Sequence, residues 1–367
     1  MRAGVLGPIC MMSVLYESKL ARDDARVTET MQALLYLPSY DLEVREVPRP
    51  RPGSDEVVVR VEAAGICGSD LQGVASRSPR RTPPLIMGHE LSGEVVAAGG
   101  PSGELLIGTR VAVNPQVPCG DCLACRSGRE NVCARRDLIG GTRSGGFAEL
   151  VSVPLRCVHP VSADLASDVA VFCEPLATCV HALRLVPDSF MEAAAVLGAG
   201  TIGVLAAQLL RLAGTRVIVV SEVDEGRRRS AAAAADAAVA PEELYDTVME
   251  LTGGLGASLS VDAVGSDCTR RESIRVLQSG GVALWLGMHE QDATIPAFDL
   301  VVREQRVQGS FAYTNPEFGR ALGLLEGGLI DPGVSRKSFP LGESGDVFRQ
   351  LLQGSSDGFL KAIVCPG

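Results

Sequence analysis

The stretch Ala193-Ala194-Ala195-Val196-Leu197-Gly198-Ala199-Gly200-Thr201-Ile202-Gly203 decides the fold of this chain. Five apolar residues run without interruption, as in a strand covered on both faces of a parallel sheet. Three glycines follow in the spacing G-x-G-x-x-G, and Val204–Leu212 then has helical spacing. Strand, glycine turn and helix, in that order, are the context in which this pattern marks a dinucleotide site. Gly198 permits the tight turn, Gly200 lets a pyrophosphate approach, and Gly203 lets helix meet strand. The helix N-terminus favours the negative charge of the phosphates.

Downstream, Arg216–Val220 reads as a second buried strand and ends at Ser221-Glu222, nineteen residues beyond Gly203. An acidic side chain there binds ribose hydroxyls and repels a 2′-phosphate, which favours NAD. Arg227, Arg228 and Arg229 follow, and Ser221 is small, so NADP stays open, with Arg227 as a candidate cofactor contact. The alanine-rich run Ser230–Ala240 favours helix. Leu259–Val264 and Val282–Leu286 read as further parallel-type strands. Alternating strand and helix implies a doubly wound α/β domain, expected over residues 186–315.

Upstream, from Met31 to about Val153, the pattern changes. Gln32–Leu37, Glu56–Val61, Leu91–Ala97, Arg110–Val113 and Ala148–Val153 are short runs rich in Val, Leu or Ala, separated by Pro and Gly clusters. They suggest an open β-barrel. Beyond the α/β domain come a helix at Glu317–Glu326 and a strand at Lys361–Val364.

The bulk numbers bound the partners. Net charge is −10, which argues against binding a nucleic-acid backbone. No run of eighteen apolar residues appears, so no membrane-spanning helix is expected. Val5–Tyr16 is mildly apolar, but Glu17, Lys19, Arg22, Asp23 and Asp24 follow it where a signal peptide would have a small-residue cleavage site. Residues 1–30 read as an N-terminal extension, expected to be poorly ordered. The eleven cysteines are odd in number and four of them cluster, which points to metal binding plus buried thiols and to the cytoplasm.

Cys119, Cys122, Cys125 and Cys133 have the spacing C-x2-C-x2-C-x7-C. Two-residue gaps turn successive thiolates back on one point, and four thiolates complete a tetrahedron around Zn²⁺ with no open position. Such a site is structural. Four thiolates also hold iron–sulfur clusters. A zinc-ribbon nucleic-acid binder would carry a flanking basic patch, which is lacking here. Three further segments hold ligand types: Gly65-Ile66-Cys67-Gly68-Ser69-Asp70, Gly88-His89-Glu90 and Cys173-Glu174-Pro175-Leu176-Ala177. Singly, each is an ordinary feature of a β-rich core.

Together, in this order, these motifs and the glycine loop resemble the zinc-containing medium-chain dehydrogenases, especially the sorbitol, threonine and butanediol dehydrogenase branch, over Met31–Val364. The resemblance implies an α/β protein. A GroES-like β-rich catalytic domain would span residues 31–185 and 316–367, beside the Rossmann doubly wound parallel sheet. It implies two zinc ions per chain. One is held by the four cysteines and one, catalytic, by Cys67, His89 and Glu174, with the neighbouring Cys173 kept as an alternative to Glu174. Glu90 would lie beside the catalytic metal as an alternate ligand, Asp70 would orient His89 through its other ring nitrogen, and Ser69 would relay the proton. Gly265, Gly287 and Phe311 match positions that line the nicotinamide. Where the family often has a histidine at the outer end of the relay, this chain has Gln72, which cannot titrate.

The implied activity is reversible hydride transfer between a secondary alcohol and NAD, or NADP. The alcohol would be a polyol, cyclitol, amino alcohol or sugar-like compound. A biosynthetic ketone reductase using NADPH is the alternative. A non-catalytic descendant would be expected to have lost a ligand or a fingerprint glycine, and none is missing. Arg77, Arg80 and Arg81 lie between two of the implied ligands and suggest a site for an anionic substrate such as a phosphate ester at the cleft mouth. The expected partners are a small-molecule alcohol or ketone and further copies of the chain, as a homodimer or homotetramer.

Overall fold

The structure is a computed structural model that describes residues 29–187, 192–332, 335–354 and 359–367. The N-terminal extension lies outside the described residues up to residue 28, and Thr30 already opens the first strand.

The N-terminal half is built from β1 (Thr30–Tyr36), β2 (Leu42–Pro48), β3 (Glu56–Gly65), α1 (Gly68–Ala75), β4 (Leu85–Ile86), β5 (Glu90–Ala98), β6 (Arg110–Val113), β7 (Gln116–Val117), β8 (Asp137–Leu138), β9 (Leu150–Pro154) and β10 (Val158–Pro160). β3 is its spine. Val57, Val58, Val59 and Val61 are all buried, because the strand is flanked by β5 and β9 in the sheet and covered on both faces. The larger sheet runs β10-β6-β5-β3 and is completed from the far end of the chain, as described below.

Helix α2 (Cys173–Arg184) leads into the second half: β11 (Ala193–Leu197), α3 (Thr201–Leu212), β12 (Val217–Ser221), α4 (Glu225–Ala231), β13 (Ala237–Val239), α5 (Leu244–Leu251), β14 (Ala257–Asp262), α6 (Asp267–Arg275), β15 (Leu277–Trp285), α7 (Ala297–Val302) and β16 (Arg306–Gly309). The six strands are parallel and ordered β13-β12-β11-β14-β15-β16. The order reverses between β11 and β14, so a crevice opens at their carboxyl ends, where open α/β sheets bind ligands.

The chain then returns through α8 (Asn315–Glu326), β17 (Arg336–Pro340), α9 (Ser344–Leu352) and β18 (Lys361–Cys365). β18 pairs with β3 antiparallel, Ile363 opposite Gly65, and with β17 on its other side. Leu176 and Val180 of α2, Leu205 and Leu209 of α3, and Phe318 and Leu322 of α8 share one apolar core. Helix α2 therefore ties the two halves together, and its first turn, with Glu174, points to where they meet.

One expected element is different. The alanine-rich run does not continue as helix to Ala240. Helix α4 ends at Ala231, and Ala237–Val239 is β13, paired in register with Val219–Ser221. The break lies at Asp236, whose carboxylate accepts the Ile218 N–H at 2.7 Å and an Arg211 N–H at 2.7 Å. A free sheet edge beside β12 outweighs the weak helical preference of a few alanines.

The glycine loop has the geometry its spacing implies. Gly198 sits at φ +94, and a Cβ on Gly203 would stand 1.8 Å from the Gly198 carbonyl oxygen. Gly200 faces open space. Gly203→Ala therefore forces the first turn of α3 off β11. We expect a loss of about 1–3 kcal/mol, the usual cost of overpacking, read as a lower denaturant midpoint. Gly200→Ala should leave the midpoint of the cofactor-free protein within about 1 kcal/mol, the usual effect of such a change in backbone freedom.

Candidate metal and cofactor site

Cys67 caps α1 at the end of the loop leaving β3. Ser69 Oγ donates to its sulfur at 3.3 Å, and its backbone N–H donates to Asp70 Oδ2 at 3.2 Å. His89 and Glu90 enter β5 after Gly88, which turns the chain at φ +96. Thiol, ring nitrogen and carboxylate oxygen of Cys67, His89 and Glu90 lie within 4.8 Å of one another. His89 Nδ1 is 3.2 Å from Asp70 Oδ1, near enough for charge attraction but out of line for a hydrogen bond. Asp70 is fully buried. Burial would raise its carboxyl, but the charges of His89 and Arg81 hold it down at about 2.

Glu174 stands apart from that three-residue cluster. Its Oε1 accepts the Tyr313 hydroxyl at 2.8 Å, and its Oε2 accepts from none of the described residues. Burial raises its carboxyl above the ordinary value, which His89 opposes and Glu90 reinforces. Glu90 is committed elsewhere, because Lys361 Nζ donates to its two oxygens at 2.8 and 2.6 Å. Burial alone would lower the Lys361 ammonium, but Glu90 and Cys67 keep it raised. Cys173, the alternative ligand, points away and donates to the Phe318 carbonyl at 3.3 Å. A thiol, an imidazole and a half-buried carboxylate with one oxygen unengaged are a donor set suited to Zn²⁺ with an open position.

The three arginines do not act as one cluster. Arg81 is buried, and its guanidinium donates to Asp70 Oδ1 at 3.1 and 2.6 Å and to Ser69 Oγ at 3.1 Å. It fits there because Gly73 has no side chain; a Cβ would stand 2.6 Å from Arg81 Cδ. Arg77 lies 4.4 Å over the Tyr40 ring. Arg77 and Arg80 are both exposed without an acidic partner among the described residues, and Arg80 also has no ring to stack on there. Gln72 reaches across the cleft and donates to the Met288 and His289 carbonyls, both at 3.0 Å.

The four cysteines converge as their spacing requires. Sulfur–sulfur distances are 3.4 Å for Cys122–Cys125, 3.5 Å for Cys119–Cys133, 3.8 Å for Cys122–Cys133 and 3.9 Å for Cys119–Cys125. Sulfurs about 2.3 Å from one centre at tetrahedral angles stand about 3.8 Å apart. The separations fit that edge, and all four thiols are free of disulfides.

At the dinucleotide loop, Glu222 is buried at the end of β12. It accepts the Ala199 N–H at 2.8 Å and the Asp224 N–H at 3.1 Å. The Arg227 N–H caps onto Asp224 at 2.8 Å, while its buried Nε has no partner among the described residues. Gly265 (φ +83) and Gly287 touch backbone to backbone; a Cβ on Gly265 would stand 2.2 Å from Gly287 C. Asp262, which the sequence reading passed over, accepts the Val264 and Gly265 N–H groups at 2.9 and 2.8 Å and shapes this loop. Phe311 lies under the Arg136 guanidinium at 4.6 Å.

Residues 53–163 match the alcohol dehydrogenase GroES-like domain, and residues 201–327 match the zinc-binding dehydrogenase domain. L-galactonate-5-dehydrogenase of Escherichia coli is 30% identical over 304 residues, covering 82% of this chain and 89% of its own. The chain belongs to the zinc-dependent medium-chain dehydrogenase/reductase family. Its members named here include L-threonine 3-dehydrogenase of Thermococcus kodakarensis, 31% identical over 75% of this chain and 81% of its own. A zinc-binding dehydrogenase of Sinorhizobium meliloti, solved with NADP bound, superposes with a TM-score of 0.85 at 34% identity, covering 92% of this chain and 100% of that one. As a member of this family the chain is a zinc-type alcohol dehydrogenase acting on CH–OH donors, and no helix among the described residues is long and apolar enough to cross a membrane.

Besides Asp262, two residues around the metal cluster escaped the sequence reading. Lys361 was legible only as a lone cation opening an apolar strand, and Tyr313 carried no local signal. Lys361→Met leaves Glu90 buried without its cation. We expect a destabilisation of about 3–5 kcal/mol, measured from denaturant midpoints, with most of it recovered in Lys361→Met/Glu90→Leu. A change below about 1 kcal/mol in the single variant would show that the pair does not hold this corner.

Proposed function

We propose that this dehydrogenase interconverts the secondary alcohol and the ketone of a small polyol or amino alcohol that carries an anionic group, with Cys67, His89 and Glu174 holding the catalytic zinc. The cluster of Cys67, His89 and Glu90, with the half-buried Glu174 near enough for the charges of His89 and Glu90 to act on its carboxyl, carries this reading together with the switch-point crevice of the parallel sheet. When bound, zinc supplies the Lewis acidity that makes a hydroxyl acidic near neutral pH, and the nicotinamide supplies the hydride acceptor. The rest falls to side chains. Ser69 Oγ, which donates to Cys67 and accepts from Arg81, would take the substrate proton while giving up its own. Arg81 cannot accept that proton, and Gln72 cannot titrate, so the route onward from Ser69 runs to water. Asp70, held by Arg81, would steer His89 by its charge, with Oδ1 3.2 Å from the ring Nδ1. Lys361 neutralises Glu90, which leaves Glu174 as the carboxylate available to the metal. The second zinc belongs to the four cysteines.

Glu222, anchored beside the glycine loop, favours NAD by its charge; Arg227 and the NADP-bound relative keep NADP as the alternative, and initial rates with each coenzyme decide between them. The anionic group is argued from Arg136 and Arg80. Arg136 has no carboxylate partner among the described residues, and burial first, then the like charge of Arg80, lower it from its usual value. Two cations left unpaired in a chain of net charge −10 suit an anion. The relatives named above act on L-galactonate and L-threonine, both carboxylates. With L-galactonate, L-threonine, galactitol and galactitol 1-phosphate as the panel, we expect an acidic member to exceed its neutral counterpart at least tenfold in kcat/KM, a difference of about 1.4 kcal/mol. Arg136→Ala should remove most of that preference. Equal turnover of acidic and neutral forms would overturn the anion site, and no turnover across a wider set of secondary alcohols would overturn the substrate class.

We further infer a homodimer through the edge of the parallel sheet, within a cytoplasmic enzyme whose lobe needs reduced thiols. Among the described residues β16 pairs only with β15, and Phe298, Val301 and Val302 on α7, which precedes it in the chain, are 77%, 76% and 58% exposed. An open edge flanked by apolar side chains is suited to a second copy. Val301→Asp should convert the dimer to monomer in light scattering; an unchanged mass would place the interface elsewhere.

A further inference from the structure

The four-cysteine lobe does more than close on itself. The turn immediately before Cys133 carries Glu130 and Asn131, and both reach the segment between β16 and α8. Asn131 is buried, and its Nδ2 donates to the Phe311 carbonyl at 2.9 Å. The same amide nitrogen lies 3.2 Å from His181 Nε2 on α2, the helix whose first turn holds Glu174. With Asn131 donating to both, His181 is protonated at Nδ1, which faces Glu317 Oε2 at 2.9 Å. Glu130 Oε1 accepts the Asn315 N–H at 2.7 Å, and Asn114 donates to the Asn315 side chain at 2.8 Å. Glu317 closes the far end by accepting the Thr314 N–H at 2.8 Å and the Thr314 hydroxyl at 2.9 Å.

Between these grips the backbone takes an unusual path. Ala312 sits at φ +50, a region that costs a residue with a side chain about 1–2 kcal/mol and persists where its surroundings impose it. The next residue, Tyr313, is fully buried, and its hydroxyl is the one donated to Glu174. Lobe, segment and carboxylate thus form one chain of contacts, and the lobe touches both the helix that carries Glu174 and the residues on either side of Tyr313, Phe311 and Asn315.

We propose that Tyr313 is a positioning residue for Glu174 and that the four-cysteine lobe sets its position through Asn131 and Glu130, so that the two metal sites are coupled. Tyr313 occupies Oε1, which leaves Oε2 as the oxygen available to a metal, on a carboxyl that feels the charge of His89. The inference rests on Glu174 being a ligand of the catalytic zinc. Groups that orient a metal ligand change metal affinity by about 10–100-fold when removed.

The test follows zinc release from the two-zinc protein to a chromophoric chelator, without any turnover. Glu174→Ala defines the phase that belongs to the catalytic site, as the one it lacks. Tyr313→Phe and Asn131→Ala should each accelerate that phase about tenfold or more, while the remaining phase, from the four cysteines, keeps its rate in Tyr313→Phe. The double variant should release no faster than Tyr313→Phe alone, because both changes act on one chain of contacts. Glu130→Ala, at a half-buried position, serves the same purpose if Asn131→Ala does not fold. A wild-type release rate in Tyr313→Phe would overturn the positioning role. Effects of the two changes that multiply in the double variant, or a lobe variant that leaves the catalytic phase unchanged, would overturn the coupling. If Glu174→Ala itself retains two zinc ions with unchanged release, the ligand assignment has failed instead.

Discussion

The ion pair between Glu90 and Lys361 is the contact on which the site depends. A carboxylate one residue beyond His89 is withdrawn from water, and taking a single charge out of water costs several kcal/mol even after relaxation. The compensating ammonium comes from the last strand, 271 residues away in sequence. The turn at His89 is therefore tied to the register of β18 against β3. Gly65, opposite Glu90 on that strand, makes the fit possible, since a Cβ there would stand 2.2 Å from the carboxylate. The C-terminal return of the chain, which looks like a simple completion of a sheet, also supplies the cation that pairs with the buried carboxylate of the candidate site.

What was legible in the sequence was local. The glycine loop, the four-cysteine lobe and the triplet Cys67, Ser69, Asp70 are each determined by spacings of a few residues, and turn geometry leaves them few alternatives. The parallel sheet could be read for the same reason, since its strands are continuous apolar runs. What was hidden was every contact made at long range. Tyr313 meets Glu174 across 139 residues, and Asn131 meets Phe311 across 180. Neither residue type advertises its partner. The arginines between the two ligand segments show the limit most clearly. Arg77, Arg80 and Arg81 look alike in sequence, yet one stacks on a tyrosine, one faces solvent and one is buried against Asp70. Only the cavity left by Gly73 decides which turns inward. The alanine run failed for the converse reason: a small residue with little preference takes the structure its neighbours offer, and here β12 offered a sheet edge.

The two clusters of metal-ligand residues also differ in how they are supported. The cysteines sit on two short turns and need little beyond their own loop. The ligands proposed for the other site, Cys67, His89 and Glu174, come from a helix cap, the start of a strand and a helix first turn, each contacted by other side chains: Ser69, Asp70 with Arg81, and Tyr313. A closed site can be built from sequence neighbours, whereas an open one must be held apart by groups that do not themselves bind the metal.

Gln72 gives the cleft a particular character. It spans from α1 to the carbonyls of Met288 and His289 through an amide that carries no charge at any pH and sits in contact with solvent. Water can replace both hydrogen bonds at little net cost. A latch of this kind is neither tightened by low ionic strength nor released by acid. The two halves of the chain thus meet at this point through a contact that neither salt nor pH adjusts, and that yields to solvent as readily as it forms.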